Sequence, residues 1–137
     1  MRIYYAHPIS MYGTEQERIH KEQIARQFPG ATIDDPSEHM NESMDYYLGR
    51  VKRADIVVFS PFEDTDRNID GRIGAGVGLE INTALEEGVS VLRLHRCGSM
   101  SMVTQPVAHM NRDDTVAILK RKGVVFTEKG LVLPKRN

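Results

Sequence analysis

Short apolar runs alternate along this chain with longer amphipathic stretches. Arg2 to Ala6, Ala31 to Asp34, Ala54 to Ser60 and Val89 to Leu94 read as strands, bounded by Pro, Gly and charged residues. Between them the spacing is helical. Thr14, with Glu17 three residues on, forms a capping box, and the helix it opens is expected to run to about Phe28, where Pro29-Gly30 stops it. Met40, Met44, Tyr47, Leu48 and Val51 recur at i, i+4, i+7, i+8 and i+11, one stripe of a second helix. Val77, Ile81, Ala84 and Leu85 mark a third, ended by Gly88, and residues 113–122 a fourth, ended by Gly123. The run Ala54 to Ser60 is apolar almost throughout, as suits the middle of a covered parallel sheet. This alternation predicts an α/β fold: a three-layer sandwich with a mostly parallel, flavodoxin- or Rossmann-like sheet of 4–5 strands. Val124 to Thr127 and Leu131 to Pro134 flank a turn and read as a hairpin or a terminal strand. Residues 61–73 and 95–110 read as loops, the first long enough to be functional or mobile, and 135–137 as a frayed tail. With no internal repeat and no linker, residues 1–137 are expected to form a single domain.

Composition narrows the classes. Forty per cent apolar and 27% charged residues suit a globular protein that folds without a metal or disulfide. A net charge of −1 argues against a nucleic-acid or membrane-surface partner. The single cysteine, Cys97, has no second cysteine to pair with and fits a reducing compartment. No apolar run approaches the length of a membrane span, and the start does not read as a signal peptide, so a cytoplasmic protein is expected.

The stretch Gly71-Arg-Ile-Gly-Ala-Gly-Val-Gly-Leu-Glu80 holds the strongest chemical signal. Four glycines in ten residues let backbone approach a ligand closely, and the helix that follows offers free N–H groups at its start. Glu80 is expected in the first turn of that helix, at the shoulder of the apolar stripe. There it could act as a nucleophile at a sugar carbon or as a general base. It could also simply complement the helix dipole, an effect of about 0.3–1 kcal/mol. Glu86 and Glu87 lie off the stripe and read as solvated. The glycine spacing is not that of a dinucleotide fingerprint, and no Gly-Lys-Ser/Thr follows, so a P-loop is excluded. His7 and Ser10 follow the first strand, on the side where ligands bind in open α/β sheets.

Three segments in order, Tyr4-Tyr-Ala-His-Pro-Ile-Ser10, Ala54-Asp-Ile-Val-Val58 and Gly76-Val-Gly-Leu-Glu-Ile81, resemble the nucleoside 2-deoxyribosyltransferase superfamily. The closest likeness is to its 2'-deoxynucleoside 5'-phosphate N-hydrolase branch. The resemblance implies that Glu80 attacks the anomeric carbon to form a glycosyl-enzyme ester, which water or a second base then takes. It implies that Tyr4 orients Glu80 and that Asp45 helps protonate the leaving base. A tyrosine in a first strand otherwise serves core packing. The family needs no cofactor or metal, and none is expected here. By the same resemblance Ser10, the backbone of Gly74, Gly76 and Gly78, and Ser99, Ser101 or Thr104 of a neighbouring subunit would hold the sugar or phosphate. Taken alone, those hydroxyls are ordinary loop residues. His7 would touch a phosphate or a base, or simply pack. A homo-oligomer with sites completed across subunits is implied, and Met100, Met102 and Met110 are adaptable apolar residues suited to its interface.

One departure stands out. Six residues before its glutamate the family carries aspartate or serine, whereas this chain has Gly74. Arg67, Asp70 or Arg72 in the longer 61–73 loop could supply the missing contact, arginine suiting phosphate through its bidentate fork. The expected activity is cleavage of the N-glycosidic bond of a nucleoside or nucleoside 5'-monophosphate, by hydrolysis or transfer. The alternatives are an inactive nucleotide or nucleotide-sugar binding module of the same fold, and an NAD-cleaving glycohydrolase.

Overall fold

The computed structural model describes residues 1–135; of the tail read over 135–137, Arg136 and Asn137 lie outside them. Five strands form the main sheet: β1 (Arg2–Ala6), β2 (Thr32–Asp34), β3 (Ile56–Phe59), β4 (Ser90–Leu94) and β5 (Met100–Val103). Their order is β2-β1-β3-β4-β5. The first four pair in parallel, and β5 runs antiparallel to β4 with Leu94 opposite Met100. This is the flavodoxin-like order with its last strand reversed. Expected as a loop, β5 is an edge strand whose Met-Ser-Met-Val run leaves Ser101 and Met102 exposed. Without two buried neighbours it has no continuous apolar run to announce it; its pairing with β4 makes it a strand.

Helices α1 (Glu15–Gln27), α2 (Met44–Arg53), α3 (Ala75–Glu86) and α4 (Arg112–Arg121) surround the sheet. Ile24 of α1 packs with Ile3, Tyr5 and Val58 on one face. On the other, Val51 of α2 and Val77, Ile81 and Ala84 of α3 pack with Tyr4, Ala6, Val57 and Phe59. Alternation along β1 therefore decides the site. Tyr5 points under α1 and Tyr4 under α3, as the two-residue side-chain period requires. At the base of β1, Arg2 N–H donates to the Asp55 carboxylate at 2.7 Å, so Asp55 ties β1 to the start of β3.

Two helix starts differ from expectation. Met40 falls outside α2, because Asn41 takes a left-handed backbone (φ 66°) and Ser43 caps the helix by accepting from Tyr46 N–H. Thr14 caps α1 by accepting from Glu17 N–H, but the Glu17 side chain does not return to close a capping box. It reaches His7 instead.

The charged 61–73 loop is a folded element. Phe62 N–H donates to Arg72 O and Gly71 N–H to Phe62 O, closing its neck at 2.9 and 2.8 Å. Phe62 and Ile69 then join Met110, Ile118, Leu119 and Val124 in a second core beneath α4. Met110, expected at a subunit interface, is 4% exposed and belongs to this core. Strands β6 (Val125–Thr127) and β7 (Gly130–Val132) form the expected hairpin beside it. Among the described residues no helix is long and apolar enough to cross a membrane.

Candidate active site

The carboxyl ends of β1 and β3 open on a cleft of about 110 Å³. His7, Pro8, Ile9 and Tyr12 line it from the loop after β1, and Pro36 and Tyr47 from the opposite wall. Phe62, Gly74, Gly76, Val77, Glu80, Thr115 and Leu119 complete it. Most of this wall is apolar or aromatic. Among the described residues that line it, none is a lysine or arginine.

Among the described residues Glu80 is the only carboxylate in the wall, and it is 7% exposed. The Tyr4 hydroxyl, fully buried on β1, donates a hydrogen bond to Glu80 Oε2. Burial pushes the Glu80 carboxyl up to about 7, against the opposing effect of that bond, which favours the carboxylate. Burial and the nearby Glu80 charge hold the Tyr4 hydroxyl protonated far above its ordinary range, so it acts only as donor. Tyr12 is also driven well above its usual range, by burial first and then by Glu80. A carboxylate that titrates near neutrality beside a fixed hydrogen-bond donor suits general-base work, and in its ionised form it can act as a nucleophile.

The glycine-rich stretch is differently built from its expectation. α3 begins at Ala75 with Gly74 as its N-cap, so Gly76 and Gly78 lie inside the helix and Glu80 in its second turn. Glu80 therefore gains little from the helix start, and its environment is set by burial. A Cβ at Gly76 would meet nothing within 4 Å, since the position opens on the cleft. A Cβ at Gly78 would lie 2.3 Å from the His109 ring, so Gly78 serves packing and does not line the cleft. Gly74 lies under Thr115 of α4: an added Cβ would be 3.0 Å from the Thr115 methyl and 3.4 Å from Phe62. The Thr115 hydroxyl accepts from Ala75 N–H at 2.9 Å, a capping bond delivered from another helix. Thr115 was not singled out in the sequence. Its only signal was a small hydroxyl residue near the start of the last helix.

Other sequence candidates are scattered. Asp45 is exposed in the first turn of α2 and does not line the cleft; Tyr47, two residues on, points the opposite way and does. Ser10 faces a separate groove with Thr14, Glu63, Arg96 and Lys122, because the 3₁₀ turn Ile9–Met11 gives Ile9 to the cleft. Arg67 and Arg72 are exposed, Arg72 in a groove against α4. Asp70 pairs with Arg96. Ser99, Ser101 and Thr104 are exposed around the β5 edge, Ser101 Oγ 2.7 Å from His95 Nε2 and Ser99 Oγ 3.0 Å from Cys97 Sγ. Within one chain none of them lines the cleft.

His7 lines it, yet both its nitrogens are engaged. Nδ1–H donates to the Tyr5 carbonyl at 2.9 Å, and Nε2 lies 2.7 Å from Glu17 Oε2. A carbonyl only accepts, so a proton also lies between Nε2 and the carboxylate. The ring stacks on Tyr5 at 3.8 Å. Behind it, Lys21 Nζ lies 2.9 Å from Asp35. Burial raises the Asp35 carboxyl, but His7, Lys21 and the Ser37 N–H outweigh it and hold the group below its ordinary range. His7, Glu17 and Asp35 are close enough to share a cation. Glu17 is already paired with His7 Nε2, and Asp35 with Lys21 Nζ.

The fold and site together define an α/β protein of flavodoxin-like strand order with a tyrosine-held, buried glutamate in a cleft beside its parallel strands. No protein-family model and no curated protein matches the chain. A solved structure of a 2-deoxyribosyltransferase from the psychrotolerant bacterium Bacillus psychrosaccharolyticus is similar to 68% of this chain and 71% of that one, with 21% identity and a TM-score of 0.48.

Proposed function

We propose that the protein cleaves the N-glycosidic bond of a nucleoside, with Glu80 as nucleophile. The observation that carries this is the Tyr4–Glu80 pair, with Glu80 in the wall of a largely apolar cleft and Tyr4 buried behind it. Ionised Glu80 attacks the anomeric carbon as the C–N bond breaks. The bond's electron pair leaves with the base, which takes up a proton, and water or a second base then displaces Glu80 from the sugar. Positive charge that builds on the sugar is stabilised by the adjacent carboxylate. Tyr12, protonated and in the same wall, is the hydrogen-bond donor we assign to the departing base in place of the exposed Asp45; burial and Glu80 hold its proton too tightly for transfer, so the base takes its proton from water. A wall without lysine or arginine favours a neutral nucleoside over its 5'-monophosphate. A phosphate would bring negative charge beside Glu80 with only the partial charge of the α3 start to offset it.

The exposed Asp45 and the absence of other carboxylates from the cleft favour a second reading, a module that binds a nucleoside or nucleotide without turning it over. Acid quenching during turnover of a 2'-deoxynucleoside, followed by mass spectrometry of the peptide that contains Glu80, separates the two. The first reading predicts a peptide heavier by one deoxyribosyl group; an unmodified peptide alongside tight binding supports the second. Nicotinamide release from NAD in the same assay would mark a glycohydrolase instead. Met102 on the β5 edge is 67% exposed and is the proposed contact for a homo-oligomer in the cytoplasm, whose size sedimentation would give.

A further inference from the structure

The cleft offers few unspent polar side chains. Tyr4 is committed to Glu80, both nitrogens of His7 are engaged, and the Tyr47 hydroxyl donates to His39 O while accepting from Glu42 N–H. Thr115 differs. Its hydroxyl proton goes to Asn111 O at 2.7 Å, and one lone pair accepts from Ala75 N–H at 2.9 Å. A hydroxyl oxygen has two lone pairs, so one acceptor position is left and no donor.

Resting on the reading that a nucleoside binds here, we propose that Thr115 determines sugar specificity: its acceptor-only oxygen takes a hydrogen bond from a free sugar hydroxyl and disfavours the phosphorylated form. A phosphate ester oxygen brings lone pairs against a lone pair, which is repulsive. Thr115 lines the same cleft as Glu80, beside Gly74 at the start of the helix whose second turn carries Glu80. A furanose that donates a hydroxyl to Thr115 at one end would present its anomeric carbon to the carboxylate. Glycine at 74 suits the arrangement, since a Cβ there would press on the Thr115 methyl at 3.0 Å. α4, which comes last among the helices, thereby supplies a working part of the site.

The test compares wild type, Thr115→Val and Thr115→Ser on a 2'-deoxynucleoside, its 5'-deoxy and 3'-deoxy analogues, and its 5'-monophosphate. We expect Thr115→Val to lose about tenfold in kcat/KM on the parent nucleoside, mostly through KM. On the analogue that lacks the contacted hydroxyl it matches wild type, and Thr115→Ser recovers most of the loss. Discrimination against the monophosphate should narrow in Thr115→Val. Gly74→Ser alone is expected to lose stability, and Gly74→Ser combined with Thr115→Ala to regain part of that stability but not the activity that depends on the Thr115 hydroxyl. An equal loss on every analogue reduces Thr115 to a stitch between α3 and α4 and overturns the proposal, as does no loss at all. Should wild type release no base, the glycosidase reading fails by itself. Calorimetric binding of the same nucleosides to the same variants then decides Thr115 by the same pattern, and absence of binding overturns both.

Discussion

At the scale of single residues, Tyr4 and Glu80 carry the account. The Tyr4 hydroxyl favours ionised Glu80, while burial opposes it. Removing the hydroxyl in Tyr4→Phe leaves burial unopposed and raises the carboxyl further above about 7. Because the nucleophile must be ionised, kcat/KM is expected to rise with pH through that value in the wild type. In Tyr4→Phe the rise should move to higher pH, with activity near pH 6.5 down about tenfold, as suits loss of a hydrogen bond to a charged group. A pH–rate profile checks both, and a limb that stays in place contradicts the role given to Tyr4. The same environment has a stability consequence of fixed sign. Folded Glu80 holds its proton more tightly than the unfolded chain does, so folding is favoured below about pH 4.5 and loses ground as pH rises to about 7. The full effect is about 3 kcal/mol. Glu80→Gln cannot titrate, so denaturant unfolding from pH 5 to pH 8 should show the variant gaining on wild type by roughly that amount, with equal slopes refuting it.

At the scale of elements, α3 shows what glycine does here. Interior glycines weaken a helix by about 0.5–1 kcal/mol each relative to alanine, so their presence needs a reason. At Gly76 the reason is open space on the cleft, and at Gly78 it is the ring of His109. Gly76→Ala is therefore expected to stabilise the fold by a few tenths of a kcal/mol or more while narrowing the cleft, raising KM. Gly78→Ala should destabilise it by about 1–3 kcal/mol through overpacking, relieved by His109→Ala. Thermal unfolding of the two single variants and the double variant tests this, and additivity of Gly78→Ala and His109→Ala would contradict the contact. The sequence showed this helix, its apolar face and its glutamate because they obey local periodicity. It did not show where the helix begins, since glycine spacing reads equally as loop or as close packing. It hid Thr115, whose role comes from a contact 40 residues away in the chain.

At the scale of the whole molecule, the strand alternation of one short sequence decides the layout. Tyr4 and Tyr5 are adjacent and equally apolar in character, yet they serve opposite faces. Tyr5 stacks on His7 and reaches His20 under α1, whereas Tyr4 meets Glu80 under α3. The parallel strands and the four helices follow patterns that repeat every two or four residues, so they were legible. β5 was not, as an edge strand with polar outward residues, and neither was the second core in which Phe62 and Ile69 turn a charged loop into the floor for α4. Asp45 and Tyr47 show the limit most plainly. Both sit on one helix, and only the rotation of that helix against the cleft tells which of them faces a ligand.

The most direct test is free base released from a panel of nucleosides by wild type and Glu80→Ala, assayed side by side. The account predicts release by wild type on at least one neutral nucleoside and a fall of about a thousandfold or more in Glu80→Ala, the usual scale for loss of a nucleophile. Release by Glu80→Ala at the wild-type rate would contradict it.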